Sequence, residues 1–255
     1  VHSKDIEKPE RQRRLHGARR GELLAAEKDY SSVIEIDPRN ARAYFERGSA
    51  FEGHPDSSLE DYNMALKLNP DYAEAKAKRG SLYYGKYNYK AAERDLLDAL
   101  KVLPKDFKAN WHLGRVYYQM NKMPEAVEYY SRALALKPDD TRVLEDRAHA
   151  LSSAGNYEEE LKDKTKMIEL HPDDSNNYFA RATTYECMRE YRKAIDDYTQ
   201  SLARRNTCYT HERRAQVYKE LGMMEKYEED MKASLELSRS GKDESTAPIG
   251  RLLHK

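Results

Sequence analysis

Apolar residues recur along this chain three and four positions apart, in stretches of about fourteen residues that come in pairs. Polar and charged residues fill the other positions, the pattern of short amphipathic helices that each have one face to bury. Gly or Asn often separates the two members of a pair, as at Gly21, Gly85 and Asn156, and a proline stops the second member. Those prolines keep a beat: Pro38, Pro70, Pro104, Pro138 and Pro172 are spaced 32, 34, 34 and 34 residues apart, and Asn206 stands where the next is due. A fixed period near 34 means one two-helix unit copied along the chain. Such a chain needs no central core, because each unit buries its apolar face against its neighbours.

Counting from three residues after each proline gives six units, at 41–72, 73–106, 107–140, 141–174, 175–207 and 208–240. A degraded unit at 7–40, within an N-terminal region 1–40, precedes them, and a tail or linker at 241–255 follows. The eighth position of each complete unit is small: Gly48, Gly80, Gly114, Ala148, Ala182 and Ala215. Three positions on stand Phe51, Tyr83, Tyr117, Leu151, Tyr185 and Tyr218. The second helix repeats an aliphatic at Ile34, Leu66, Leu100, Leu134, Ile168, Leu202 and Leu235, with alanine at Ala26, Ala92, Ala126 and Ala194. Small residues let two helix backbones approach, and the larger ones fill the space beside them.

This arrangement resembles the tetratricopeptide repeat family, and unit 107–140 carries it most fully in Leu113-Gly114, Tyr117, Ala126, Tyr130, Ala133 and Pro138. The resemblance covers about residues 7 to 240. It implies an all-α fold, a right-handed α-solenoid of about seven helix-turn-helix units whose first helices line a concave groove.

The copies also serve as an internal alignment. The seventh position reads Arg13, Arg47, Arg79, Leu113, Arg147, Arg181 and Arg214; the twenty-third reads Asp29, Asp61, Asp95, Tyr129, Asp163, Asp197 and Asp230. The unit without the arginine is the unit without the aspartate. This joint loss predicts an arginine–carboxylate pair joining the two helices of each hairpin, a structural ladder and not a row of ligand-binding arginines. In unit 141–174, Glu160 and Lys164 replace the usual alanine and aromatic, and lie four apart so that they can pair along one helix face. The expectation is that this hairpin is the loosest; the alternative is a small rotation that brings Leu161 and Met167 into the contact.

Family groove positions carried onto this chain include Phe45, Tyr84, Lys108, Trp111, Arg115, Tyr118, Arg142, His149 and Phe179, the candidate peptide-binding residues. Aromatic and arginine anchors in a concavity are typical hot spots, and cations beside rings favour an acidic or carboxylate-bearing peptide. The carboxylate clamp of chaperone-binding relatives is not matched: Ala77, Ser81, His112 and Asp146 stand where it needs Lys, Asn, Asn and Arg. Composition narrows the rest. Forty-five basic and 45 acidic residues cancel, so overall charge argues against nucleic acid. The basic run at Arg11, Arg13, Arg14, Arg19 and Arg20 reads first as a solvated helix face, with a phosphate contact or an address signal as the alternatives. Cys187 and Cys208 give neither a disulfide framework nor metal-ligand spacing, no stretch approaches the roughly 20 apolar residues of a membrane span, and a reducing, cytoplasmic compartment is expected. No HExxH, glycine-rich phosphate loop or GxSxG occurs. The sequence therefore predicts a non-enzymatic scaffold, without cofactor or metal, that binds a partner protein or peptide in its groove. The alternatives are a transport or targeting receptor, a co-chaperone-like adaptor, or the regulatory repeat arm of a larger enzyme.

Overall fold

The computed structural model describes residues 24–51, 54–241, 243 and 244. Within them the chain is all helix: α1 over 24–36, α2 Ala41–Ala50, α3 Pro55–Leu68, α4 Ala73–Gly85, α5 Tyr89–Val102, α6 Phe107–Gln119, α7 Met123–Leu136, α8 Thr141–Ser153, α9 Tyr157–Leu170, α10 Ser175–Cys187, α11 Tyr191–Arg204, α12 Cys208–Glu220 and α13 Met224–Ser240. The helices fall into two compact units, Val1–Lys122 and Met123–Lys255. In the first, α2 packs on α3, α4 on α5, and α4 and α5 both meet α6; in the second, α8 pairs with α9, α10 with α11 and α12 with α13. Each unit is a stack of helical hairpins, the helical-repeat solenoid class that the period implies.

Local chemistry places the helix ends. Each proline of the beat lies two residues beyond a helix: Pro70 after Leu68, Pro104 after Val102, Pro138 after Leu136 and Pro172 after Leu170. Side-chain caps start the next helices. Asn40, Asn88, Asp106, Asp140, Asn156, Asp174 and Thr207 each accept a hydrogen bond from a backbone N–H of the first turn, a contribution of about 1 kcal/mol per cap. In the shortened unit Pro55 opens α3, where a missing N–H costs nothing.

Two expected turn residues are displaced. Gly85 is the last residue of α4, and Asn156 is the cap of α9. The left-handed residue of each turn is instead Tyr87 (φ 59°), Asn121 (59°), Gly155 (72°), Arg189 (59°) and Gly222 (71°). Gly21 lies outside the described residues, as do Arg13, the N-terminal basic run and most of the tail.

The small eighth position is sterically required where the structure tests it. A Cβ on Gly80 would stand 2.7 Å from Cγ of Leu96, and one on Gly48 3.0 Å from Cβ of Asp61. Ala65, Ala75, Ala92, Leu96 and Ala99 are fully buried in the first unit, and Ala126, Ala133, Ala182, Ala194 and Tyr198 in the second.

The arginine ladder is present in all five pairs that the described residues contain, and each rung is bidentate. Nε and Nη2 of Arg47, Arg79, Arg147, Arg181 and Arg214 donate to the two carboxylate oxygens of Asp61, Asp95, Asp163, Asp197 and Asp230 at 2.5–3.0 Å. Nη1 supplies a third leg that the sequence reading did not anticipate. It donates to a polar side chain on the preceding second helix: Ser31, Asn63, Ser131, Thr165 and Thr199 respectively. Each arginine thus joins three helices. Four of them also lie 5.7–6.0 Å from the aromatic four residues on, Phe51, Tyr83, Tyr185 or Tyr218. The register without the arginine replaces every member of the set with an apolar or aromatic residue, Leu97, Leu113 and Tyr129.

Glu160 and Lys164 pair as expected, but the rotation that would bury Leu161 and Met167 in their place does not occur. Glu160 itself is buried, 2 % exposed. Lys164 Nζ spends its three donors on Glu160 Oε1 (2.5 Å), the Ala180 carbonyl (2.8 Å) and Thr184 Oγ1 (2.7 Å). Thr184 in turn donates to Glu160 at 3.0 Å. A polar cluster across α9 and α10 thus takes the place of the usual alanine-and-aromatic contact.

Candidate functional site

Helical spacing puts Lys108, Trp111, His112 and Arg115 on one face of α6, because residues three and four apart share a side. Tyr84 on α4 meets that face. The Arg115 guanidinium lies 4.6 Å from the Tyr84 ring centre and 5.4 Å from that of Trp111. The His112 ring is 5.3 Å from Trp111 and 6.1 Å from Tyr84, and Phe107 is 6.4 Å from Trp111. Of the candidate residues, Tyr84 and Trp111 therefore both meet Arg115, and Lys108 is exposed on the same face of α6. Tyr118 is half-buried one turn beyond Arg115.

The face is electropositive. Burial and then the charges of Arg115, Lys108 and Lys78 lower the His112 pKa to about 4, with Asp106 opposing them. His112 is neutral near pH 7, and its Nδ1 is buried with no hydrogen-bond partner among the described residues. Lys76 and Lys122 are partly neutralised by Asp98 and Glu93. Lys78 and Lys108 are exposed and make no ion pair among the described residues. The zero net charge concealed this. Residues 73–122 hold eleven basic and five acidic side chains, and the acidic excess lies elsewhere in the chain. A window on charge could have found it; the sum could not.

Phe45 packs on its neighbours. It lies 4.9 Å from Tyr72 and 5.9 Å from Tyr62, against Ala65, Leu66 and Ala75.

In the second unit, α8, α9 and α10 enclose a cleft of ≈ 120 Å³ lined by Glu145, Ala148, His149, Lys164, Met167, Asn176, Asn177 and Ala180. His149 is the candidate residue on its rim. The Lys164 ammonium has no donor left for a ligand, and Asn177 is occupied with the carbonyls of Met167 and His171. Arg142 reaches back to Asp140, the cap of its own helix. Phe179 packs on Ala182, Ala194 and Tyr198 and stacks on Tyr209 at 5.4 Å, and that outer ring is 57 % exposed. Beside them Glu186 accepts from Tyr198 Oη at 2.8 Å and from Arg213 Nη2 at 2.9 Å. Burial, reinforced by the Glu186 charge against Arg213, pushes the Tyr198 phenol well up. Neither Tyr198 nor Arg213 was foreseen as part of a site.

Among the described residues no group of His, Cys, Asp or Glu could hold a metal ion, and no helix is long and apolar enough to cross a membrane. Cys187 and Cys208 are free thiols.

Comparison with known proteins follows the same lines. Residues 51–106, 78–141 and 113–175 match the tetratricopeptide repeat family. Among solved structures the chain is similar to YrrB, described as a TPR protein with an unusual peptide-binding site. That match has a TM-score of 0.63 and 22% identity, over 68% of this chain and 91% of that one. A crystal structure of MamA matches with a TM-score of 0.57 and 18% identity, over 64% of this chain and 96% of that one. A tetratricopeptide repeat protein from Parabacteroides merdae matches with a TM-score of 0.55 and 21% identity, over 85% of this chain and 87% of that one. At these identities the likeness is one of fold. No curated protein matches the chain in sequence.

Proposed function

Residues 51–175 belong to the tetratricopeptide repeat family, and from that premise we propose that the chain is a non-catalytic scaffold that binds an acidic segment of a partner polypeptide. The observation that carries the reading is the α4–α6 face of the first unit. There Tyr84 and Trp111 offer ring faces, and Lys78, Lys108 and Arg115 supply positive charge around them. Rings and guanidinium groups give large contact area at low entropic cost, and the lysines steer a carboxylate-bearing segment towards them. Lys108, Trp111, Arg115, Tyr84 and Tyr118 form the proposed binding set of this unit. Arg142, His149 and Phe179 are assigned secondary contacts in the second unit, with Phe45 as a packing residue at the margin. A reducing, cytoplasmic setting suits the two free thiols.

Trp111 is the chain's single tryptophan, so its fluorescence reports this face alone. Peptides selected from a random dodecapeptide display library on the full chain should be rich in Asp and Glu and should perturb that emission on titration. A double variant, Trp111→Ala with Arg115→Glu, should lose them in a pull-down. Equal recovery by the variant and the wild type would sink the reading.

A further inference from the structure

Just beyond α4 the chain holds an exposed aromatic ring on a disfavoured backbone conformation. Tyr87 occupies the left-handed turn position at φ 59°. A bulky L residue is disfavoured there, because its Cβ crowds the neighbouring carbonyl. Of the equivalent turns in other hairpins, three use Asn121, Gly155 and Gly222, residues that adopt this conformation readily, and one holds Arg189 there; Tyr87 is the one aromatic ring among them. Burial returns little at this site, since Tyr87 is 79 % exposed. A strained backbone carrying an exposed ring is a local inconsistency, and such inconsistencies gather where function demands them.

The ring is also not isolated. Tyr87 meets Tyr89 edge-on at 6.4 Å, and Tyr89 meets Tyr84 at 5.9 Å. Tyr84 holds the Arg115 guanidinium at 4.6 Å, and that group touches Trp111. An unbroken run of aromatic and guanidinium surface therefore leads from the α6 face to the α4–α5 turn, all within the first unit. Its charge is continuous too. Lys86 and Lys90 flank Tyr87; Lys86 reaches only the largely exposed Asp56, and Lys90 makes no ion pair among the described residues.

We propose that the α4–α5 turn is a second anchor for the same partner: an acidic polypeptide segment crossing the α4–α6 face continues over this edge and seats an apolar side chain on Tyr87 and Tyr89. The assignment rests on the acidic-segment reading above and adds the direction of the segment and its exit point. The occupant follows from charge complementarity, because the edge and the face share one basic field. The tyrosine pair supplies the apolar contact, and Lys86 and Lys90 supply the partners for carboxylates beside it.

The test uses the full chain and one synthetic acidic dodecapeptide taken from the display selection, dye-labelled and followed by anisotropy. Tyr87→Asn places a residue suited to the left-handed backbone, so the melting temperature should hold or rise while affinity falls about tenfold. Tyr87→Phe should keep most of the affinity. Stability and binding then move in opposite directions, which a purely structural tyrosine would not produce. Affinity for Tyr87→Asn within twofold of wild type, with Trp111→Ala/Arg115→Glu still defective, overturns the second anchor and spares the face. If both variants bind as wild type does, the acidic-segment reading falls as well. A single-stranded oligonucleotide that displaces the peptide equally well, in a manner that depends on Tyr87, makes nucleic acid the occupant and overturns the proposal.

Discussion

The arginine ladder makes a quantitative claim that a double-mutant cycle can check. In the α10–α11 hairpin Arg181 donates to Asp197 at 2.7 and 2.8 Å and to Thr165 at 3.1 Å, and the Asp197 side chain is only 7% exposed. Replacing Arg181 with Leu strands that carboxylate, in a site from which water is largely excluded. Breaking a buried pair from one side costs about 3–5 kcal/mol, a large share of the ~5–15 kcal/mol that holds a typical domain together. Asp197→Leu strands the guanidinium, which at 20% exposure can still reach water, and should cost less. The double variant removes both charges. It should recover to within about 1 kcal/mol of wild type, since a well-packed apolar pair often replaces a buried ion pair at no net loss. In sequence, the one copy without the pair carries Leu97, Leu113 and Tyr129 in the same register. Chemical denaturation of the four proteins gives the coupling energy, expected to be at least about 3 kcal/mol. A single-variant loss under about 1 kcal/mol, or a double variant no more stable than Arg181→Leu, would refute the account of the ladder as a buried, mutually dependent network.

Three further outcomes follow from the same geometry. Gly80→Ala drives a Cβ to 2.7 Å from Leu96 and should cost about 1–3 kcal/mol in thermal unfolding, whereas Gly85→Ala meets nothing within 4 Å and should be neutral or stabilising by about 0.5–1 kcal/mol. Lys164→Met leaves the buried Glu160 without its cation and should destabilise by about 3–5 kcal/mol, with most of the loss recovered in Glu160→Ala/Lys164→Met; hydrogen exchange of α9 and α10 reads this out. His112, whose pKa falls to about 4 in the fold, must bind a proton more weakly there than in the unfolded chain. Stability should therefore decline as pH drops from about 6.5 towards 4, by about 3 kcal/mol at the limit, and His112→Phe should flatten that limb of a pH–stability profile.

The proline beat and the repeated small, aromatic and aliphatic positions made the helices legible, because their causes lie within one or two turns of the chain. Proline ends a helix wherever it falls, and a side-chain cap starts one. The Arg–Asp rungs were legible for a different reason. Repeated copies let one position be read against another, so the joint loss at Leu113 and Tyr129 exposed the pairing. The candidate site came through less completely. Arg115 does meet both Trp111 and Tyr84, while Phe45 lies against Tyr62 and Tyr72. His112 and Lys78, which border the same face, stand at the sixth position of their units, where the family's known ligand sets use asparagine, and so gave no signal by residue type.

What the sequence determined by itself was thus periodic or local: the unit length, the helix ends, and the partners that recur in every copy. Tertiary structure decided what depends on distances between helices that neither period nor local preference sets. It chose the polar side chain on the preceding helix that completes each arginine's hydrogen bonds, and it buried Glu160 where a rotation of α9 would have turned it outward in favour of Leu161 and Met167. It withdrew His112 from water and so lowered its proton affinity. It also ended α4 at Gly85, two residues before the left-handed turn, and so put Tyr87 where glycine or asparagine is at ease. Hydrogen-bond reach, solvent exclusion and backbone strain are set by how the helices pack.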